Sequence, residues 1–319
     1  MMAAVLIAGG FVLLVAGGEI LVRGSVGVAT RFGVSKLVIG LTLVGFGTSA
    51  PELVTSLQAA FVGAPGIAVG NVVGSNIANI LLILGISALI YPLACDPMAI
   101  RRDGMVMLAA TILLVGLGVL GAIDRWAGVV LLALLAAYLA FTFHIERKSR
   151  DKAGEMLEHE AEDVSPANLS LPLNLGLAVG GIVLVVAGAD LLVRGAVDVA
   201  RLMGVSEAVI GLTIVAVGTS LPELVTSVMA AIKRHGDVAI GNVIGSNIFN
   251  ILAILGVTAA IHPIPFPAEI AGLDVWVALA TAVALLLFAA SGARLNRIEG
   301  GLLAAAYAGY VGYLAAGAL

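Results

Sequence analysis

The sequence predicts an all-α polytopic membrane protein with ten transmembrane helices arranged as two inverted five-helix repeats. Three observations predict it. Of 319 residues, 61% are hydrophobic and 11% charged, whereas a soluble domain is about half apolar and a quarter charged. Ten apolar runs, most near the roughly 20 residues that span a bilayer, alternate with charged or Gly/Pro breaks. The first half of the chain also recurs in the second at a fixed offset of 171 residues.

The runs cover about 4–22, 36–62, 67–91, 104–121, 125–143, 172–193, 206–232, 238–261, 271–290 and 297–317. They are continuously apolar rather than alternating, which excludes a transmembrane barrel. The first has no basic stretch ahead of its apolar residues, and it has a twin at 172–193. It therefore reads as a span of the mature protein, not a cleaved signal. The second holds Gly47-Thr48-Ser49-Ala50-Pro51-Glu52 at its centre. Pro51 removes the amide that would pair with the Gly47 carbonyl, so the helix should break at midplane depth. The third carries Ser75-Asn76-Ile77-Ala78-Asn79, and the fourth and fifth are plainly apolar. The polar stretch 144–170 reads as a solvated linker loop, and runs six to ten then repeat the order.

Residues 40–60 recur as 211–231 with 15 of 21 positions identical, and 70–86 recur as 241–257 with 13 of 17. Glu19/Asp190, Arg23/Arg194 and Gly33-Val34-Ser35/Gly204-Val205-Ser206 keep the same offset. An odd number of spans per half sends the second half into the membrane from the opposite side. The expected units are a first repeat at 1–143 (motif about 38–86), the linker at 144–170, and a second repeat at 171–319 (motif about 209–257). Inverted repeats with interrupted segments at matching positions point to a transporter with its site near the midplane.

The basic residues orient the chain. Thirteen Lys and Arg fall after odd-numbered spans, against Arg125, Arg194 and Arg201 on the other side. By the positive-inside rule both termini lie outside the cytoplasm and the 144–170 loop inside it. The expected location is the plasma (inner) membrane, with the lipid bilayer as surroundings and no obligatory protein partner. A net charge of −4 with no basic tract argues against nucleic acid. One cysteine, Cys95, excludes a disulfide framework. His144, His159, His235 and His262 are scattered without metal-ligand spacing.

The repeated polar residues form an oxygen-only set. Thr48, Ser49 and Glu52 share a helical face, as do Ser75 and Asn79. Thr219, Ser220, Glu223, Ser246 and Asn250 repeat them in the second half. An intramembrane glutamate costs about 2.5 kcal/mol or more and marks a functional site by default. Hard oxygen ligands suit calcium or sodium, while magnesium gives up its water reluctantly. Two carboxylates balance one divalent ion or two monovalent ones, as an exchanger requires. Elsewhere the readings are structural. Asn76 and Asn247 serve as interhelical glue or as ligands. Thr55, Ser56, Thr226 and Ser227 bond helix carbonyls, Glu19 and Asp190 pair with Arg23 and Arg194, and Asp96, Asp103, Asp124 and Asp274 are loop residues or helix caps.

The paired motifs GTSAPE…GNVVGSNIAN and GTSLPE…GNVIGSNIFN resemble the α-repeats of the calcium/cation antiporter superfamily, specifically prokaryotic sodium/calcium exchangers. The resemblance implies that Glu52 and Glu223 are the essential ion-binding glutamates. It also implies ligands at Thr48, Ser49, Ser75, Asn79, Thr219, Ser220, Ser246 and Asn250, with backbone ligands at Gly45 and Ala216. The expected activity is antiport of Na+ for Ca2+ by alternating access, with a proton-coupled calcium antiporter as the alternative. In this family the first and sixth spans are thought to slide across the other eight. Several relatives, the potassium-dependent exchangers among them, carry Asp where this chain has Asn250, so potassium co-transport is not expected. No cofactor is expected beyond the transported ions, and no enzymatic activity. A channel would repeat its filter about an axis normal to the membrane. An intramembrane aspartyl hydrolase would need two central aspartates where this chain has glutamates. A serine hydrolase would need a base near Ser49 or Ser220, and no histidine lies in those spans.

Overall fold

Apolar side chains in long runs leave the backbone only one way to satisfy its polar groups in lipid, the helix. The computed structural model describes residues 2–32, 36–94, 97–157, 169–202, 216–292 and 294–317. The repeat segments at 33–35 and 204–206, Cys95, Asp96, residues 158–168 and the start of the seventh run lie outside them. Seven helices among the described residues are long and apolar enough to cross a membrane. The run at 36–62 is not one of them, because it divides into Lys36–Ile39, a π turn at Gly40–Val44, Gly45–Thr48 and Ala50–Phe61.

Met2–Phe32 and Leu171–Leu202 are the longest apolar pair, at 31 and 32 residues. At 1.5 Å per residue each is roughly 46–48 Å long. That exceeds the roughly 30 Å hydrocarbon core, so each tilts or projects beyond it. They pack antiparallel along a seam of small residues. Gly10, Gly17 and Gly24 recur as Gly181, Gly188 and Gly195, a spacing of seven that keeps each set on one face. A Cβ on Gly10 would stand 2.7 Å from the Gly188 carbonyl oxygen, and one on Gly17 2.8 Å from the Val185 nitrogen. Only hydrogen fits there.

The centre is built from Pro65–Ala78 and Gly236–Phe249. Each runs through a π turn, Asn79–Leu84 or Asn250–Leu255, into a last helical piece, Gly85–Ile90 or Gly256–Ile261. These are the two most buried candidate spans. Ile77, Ile80 and Leu84 join Ile248, Ile251 and Leu255, their partners at offset 171, in one core. Two-residue strands clip the halves together. β1 (Leu93–Ala94) pairs antiparallel with β4 (Arg294–Leu295), and β2 (Ala122–Ile123) with β3 (Ile264–Pro265). In each clip one strand comes from each half.

Three sequence readings are corrected. The stretch 144–170 is not a loop from its start, because the helix Arg125–Leu157 runs through 144–157. That segment is rich in Glu, Lys and Arg, strong helix formers with no proline to stop them. Asp103 is neither loop nor cap. It is fully buried and bound by Arg102 at 2.8 and 3.0 Å, and it accepts a 3.2 Å hydrogen bond from the Tyr138 hydroxyl. Its repeat partner Asp274 accepts from Tyr310 at 2.7 Å, so each half ties its last two helices with an Asp–Tyr bond. Glu19 pairs not with Arg23 but with Lys233, at 2.9 Å. The Asp190–Arg194 pair forms as expected, at 2.9 Å, and Asp124 caps its helix through the Ala127 amide at 2.7 Å.

Candidate functional site

Two broken helices meet two glycine- and asparagine-rich helices at the centre of the molecule. The first break falls at Ser49, whose φ of −82° and ψ of 8° leave the helical region, with Pro51 in the first turn beyond it. Ser220 repeats this at −89° and 5°, with Pro222 beyond. The helix restarts immediately, so Glu52 and Glu223 lie in first turns, facing the break. Gly245 lets the central helix cross the first broken helix closely, since a Cβ there would stand 2.6 Å from the Leu41 Cα.

The polar groups then interlock crosswise. The Ser49 hydroxyl donates to Glu223 Oε1 at 2.9 Å, and the Ser220 hydroxyl donates to Glu52 Oε1 at 3.3 Å. Each serine thus holds the carboxyl of the other half. Ser220 Oγ also lies 3.3 Å from Ser75 Oγ, and the Ser246 hydroxyl reaches the Gly45 carbonyl at 3.5 Å. Thr48 Oγ1 lies 3.3 Å from Asn242 Oδ1. Thr48, Ser49, Glu52, Ser75, Asn79, Ser220, Glu223, Ser246 and Asn250 are all buried. Thr219 is half-buried, and Ala216 begins the short helix that ends at Thr219. The Gly45 carbonyl also takes the Ser49 amide at 3.2 Å, which leaves it less available than the resemblance implies.

Four oxygens in this cluster are buried without a hydrogen-bond partner: Glu52 Oε2, Glu223 Oε2, Asn79 Oδ1 and Asn250 Oδ1. Two belong to each half, at matching positions. The ion pairs recorded among the described residues involve Asp103, Asp190 and Glu19, and none reaches the two glutamates. A buried carboxylate with no counter-charge is costly, so the set has the composition of a cation cage: two carboxylates, two amide oxygens and several hydroxyls.

Sequence reasoning missed two residues. Asn71 donates to the Glu52 carbonyl at 3.1 Å and to Ser56 Oγ at 2.9 Å. Asn242 does the same to the Glu223 carbonyl at 3.3 Å and to Ser227 Oγ at 2.9 Å. They brace the backbone that carries each glutamate. Their signal was the Gly-Asn pair that opens each second motif, conserved across the repeat. Ser56 donates to a carbonyl of the neighbouring helix, Ala68 at 3.3 Å, so it ties two helices together.

The chain is similar to known membrane exchangers. The family described as "Sodium/calcium exchanger protein" matches residues 2–144 and 173–316. The chain is 40% identical over 311 residues to the putative antiporter CaxA of Alkalimonas amylolytica, covering 94% of this chain and 95% of that protein. It is 35% identical over 334 residues to the sodium/calcium exchanger MaX1 of Methanosarcina acetivorans, covering 95% of each. A solved structure of the sodium-calcium exchanger NCX_Mj, soaked with Na+ and Sr2+, superposes with a TM-score of 0.84 at 35% identity. That match covers 98% of both chains.

Proposed function

The chain belongs to the sodium/calcium exchanger family and is a multi-pass membrane protein, and on that premise we propose that it exchanges Na+ for Ca2+ by alternating access. The ion is held by Glu52 and Glu223, with Ser49, Ser75, Asn79, Ser220, Ser246 and Asn250 around it and Thr48, Thr219, Gly45 and Ala216 at the edge. The observation that carries this reading is the four buried, unpartnered oxygens of Glu52, Glu223, Asn79 and Asn250. One calcium ion satisfies two carboxylates, and sodium ions compete for the same oxygens. No further cofactor enters. The ten spans form two inverted repeats, 1–143 and 171–319, joined through 144–170. The termini face the outside of the plasma membrane.

Alternating access draws support from an asymmetry between matching faces. Gly18 of the first helix packs so closely on Leu221–Ile232 that a Cβ would stand 2.9 Å from Val225. The matching face of Ala50–Phe61 is open: Val54, the partner of Val225, is 54% exposed. With the orientation set by the basic residues, the open face is extracellular and the covered face cytoplasmic. Exchanging these roles between the halves carries the site from one side to the other.

The test is calcium-45 uptake into sodium-loaded proteoliposomes, with external sodium removed and the pH clamped. Uptake that needs internal sodium supports exchange. Uptake driven only by a pH gradient moves the chain to proton coupling at the same site, since a buried carboxylate can also take a proton. No uptake under either gradient contradicts calcium transport.

A further inference from the structure

Between the two central helices lies a chain of four hydrogen-bonded asparagines, in the order Asn79, Asn247, Asn76 and Asn250. Its orientation can be read outward from the backbone, because a carbonyl oxygen accepts and never donates. The Asn76 side chain meets the Asn247 carbonyl at 3.3 Å, so the atom there is Nδ2. Asn76 Oδ1 is then the atom turned toward Asn250. It accepts from Asn250 Nδ2 at 2.9 Å. The remaining atom of Asn250, Oδ1, is buried with no donor. The other half mirrors this. Asn247 Nδ2 meets the Asn76 carbonyl at 3.3 Å, Asn247 Oδ1 accepts from Asn79 Nδ2 at 2.9 Å, and Asn79 Oδ1 is left over.

We propose that Asn76 and Asn247 are positioning residues that fix the amide orientation of Asn250 and Asn79, so that both turn oxygen, never NH2, toward the transported cation. The proposal rests on the exchange reading above. Flipping either amide would set two oxygens 2.9 Å apart and aim N–H groups at a positive ion, and both changes are unfavourable. The arrangement supplies two dipolar oxygens without adding to the charge of the two glutamates. A carboxylate at 250 has oxygen at both ends, so Asn76 has nothing to select, and its own Oδ1 then faces an acceptor where it had a donor.

That difference supplies the test. The KM for calcium is measured in sodium-loaded proteoliposomes for the wild type, Asn76→Leu, Asn250→Asp and the double variant, with melting temperatures alongside. In the native background, Asn76→Leu should raise the KM about 10- to 100-fold, the usual effect of losing a partner that orients a metal ligand. In the Asn250→Asp background the same substitution should raise it by less than about threefold, a departure from additivity that marks coupled residues. Equal losses in both backgrounds would show that Asn76 only packs, and would overturn the proposal. Should Asn76→Leu fail to fold, the mirror cycle of Asn247→Leu with Asn79→Asp carries the same prediction. Wild-type protein that takes up no calcium contradicts the exchange reading itself, whereas active wild type with an additive cycle contradicts only the orienting role.

Discussion

At the residue scale, the proposed function comes down to two buried carboxyls that no recorded ion pair among the described residues reaches. Ser49 and Ser220 each occupy one oxygen of the opposite glutamate, and the second oxygen is left without a donor. Replacing Glu52 or Glu223 by Gln keeps the shape and removes the charge. Either change should reduce calcium-45 uptake to background, with a cation-free melting temperature unchanged or higher, because a buried charge has been removed. Retained uptake in either variant would contradict the site. These residues were legible in the sequence because apolar helices carry few polar residues, and here the same ones recur 171 positions apart. Asn71 and Asn242 recur equally and were passed over. Their task, holding the backbone of Glu52 and Glu223, depends on how two helices cross, which spacing along one helix does not encode.

At the element scale, the proline breaks were legible and the π turns were not. Pro51 and Pro222 remove a donor, which fixes where the ladder opens. The π turns that begin at Asn79 and Asn250 have no comparable signature, although such turns often mark functional sites. The seam between Met2–Phe32 and Leu171–Leu202 predicts its own sensitivity. Gly10→Ala or Gly17→Ala places a methyl against backbone less than 3 Å away. Overpacking of this kind should cost about 1–3 kcal/mol, read as a lower melting temperature together with slower uptake. The Lys233–Glu19 pair fastens the first helix on one side only. The position matching Lys233 is Val62, so Asp190 has no such partner and bonds Arg194 instead. Removing Lys233 should therefore loosen the covered side. An exposed ion pair contributes little, so Lys233→Met should raise maleimide labelling of Val225→Cys by no more than roughly a few-fold. Labelling of Val54→Cys should fall or stay constant. The opposite pattern would contradict a one-sided fastening.

At the scale of the whole molecule, two sequence-similar halves enclose one polar cluster, where side chains of each half bond the other. The repeat was legible in the sequence, and the antiparallel packing of Met2–Phe32 on Leu171–Leu202 fits the proposed inversion. The difference between the halves was not legible, because nearly identical motifs adopt one covered and one open face. A site shared in this way makes ion binding a property of the assembled fold. Calcium should thus stabilise the intact protein by about 2.7 kcal/mol at a hundred times its dissociation constant, seen as a rise in melting temperature that Glu52→Gln abolishes. The most direct test is the anomalous diffraction of crystals soaked in strontium, a heavier divalent stand-in for calcium. A single strong peak is expected, bounded by the carboxyls of Glu52 and Glu223 and the amide oxygens of Asn79 and Asn250. A peak elsewhere, or none there in protein that transports calcium, would contradict the proposed site.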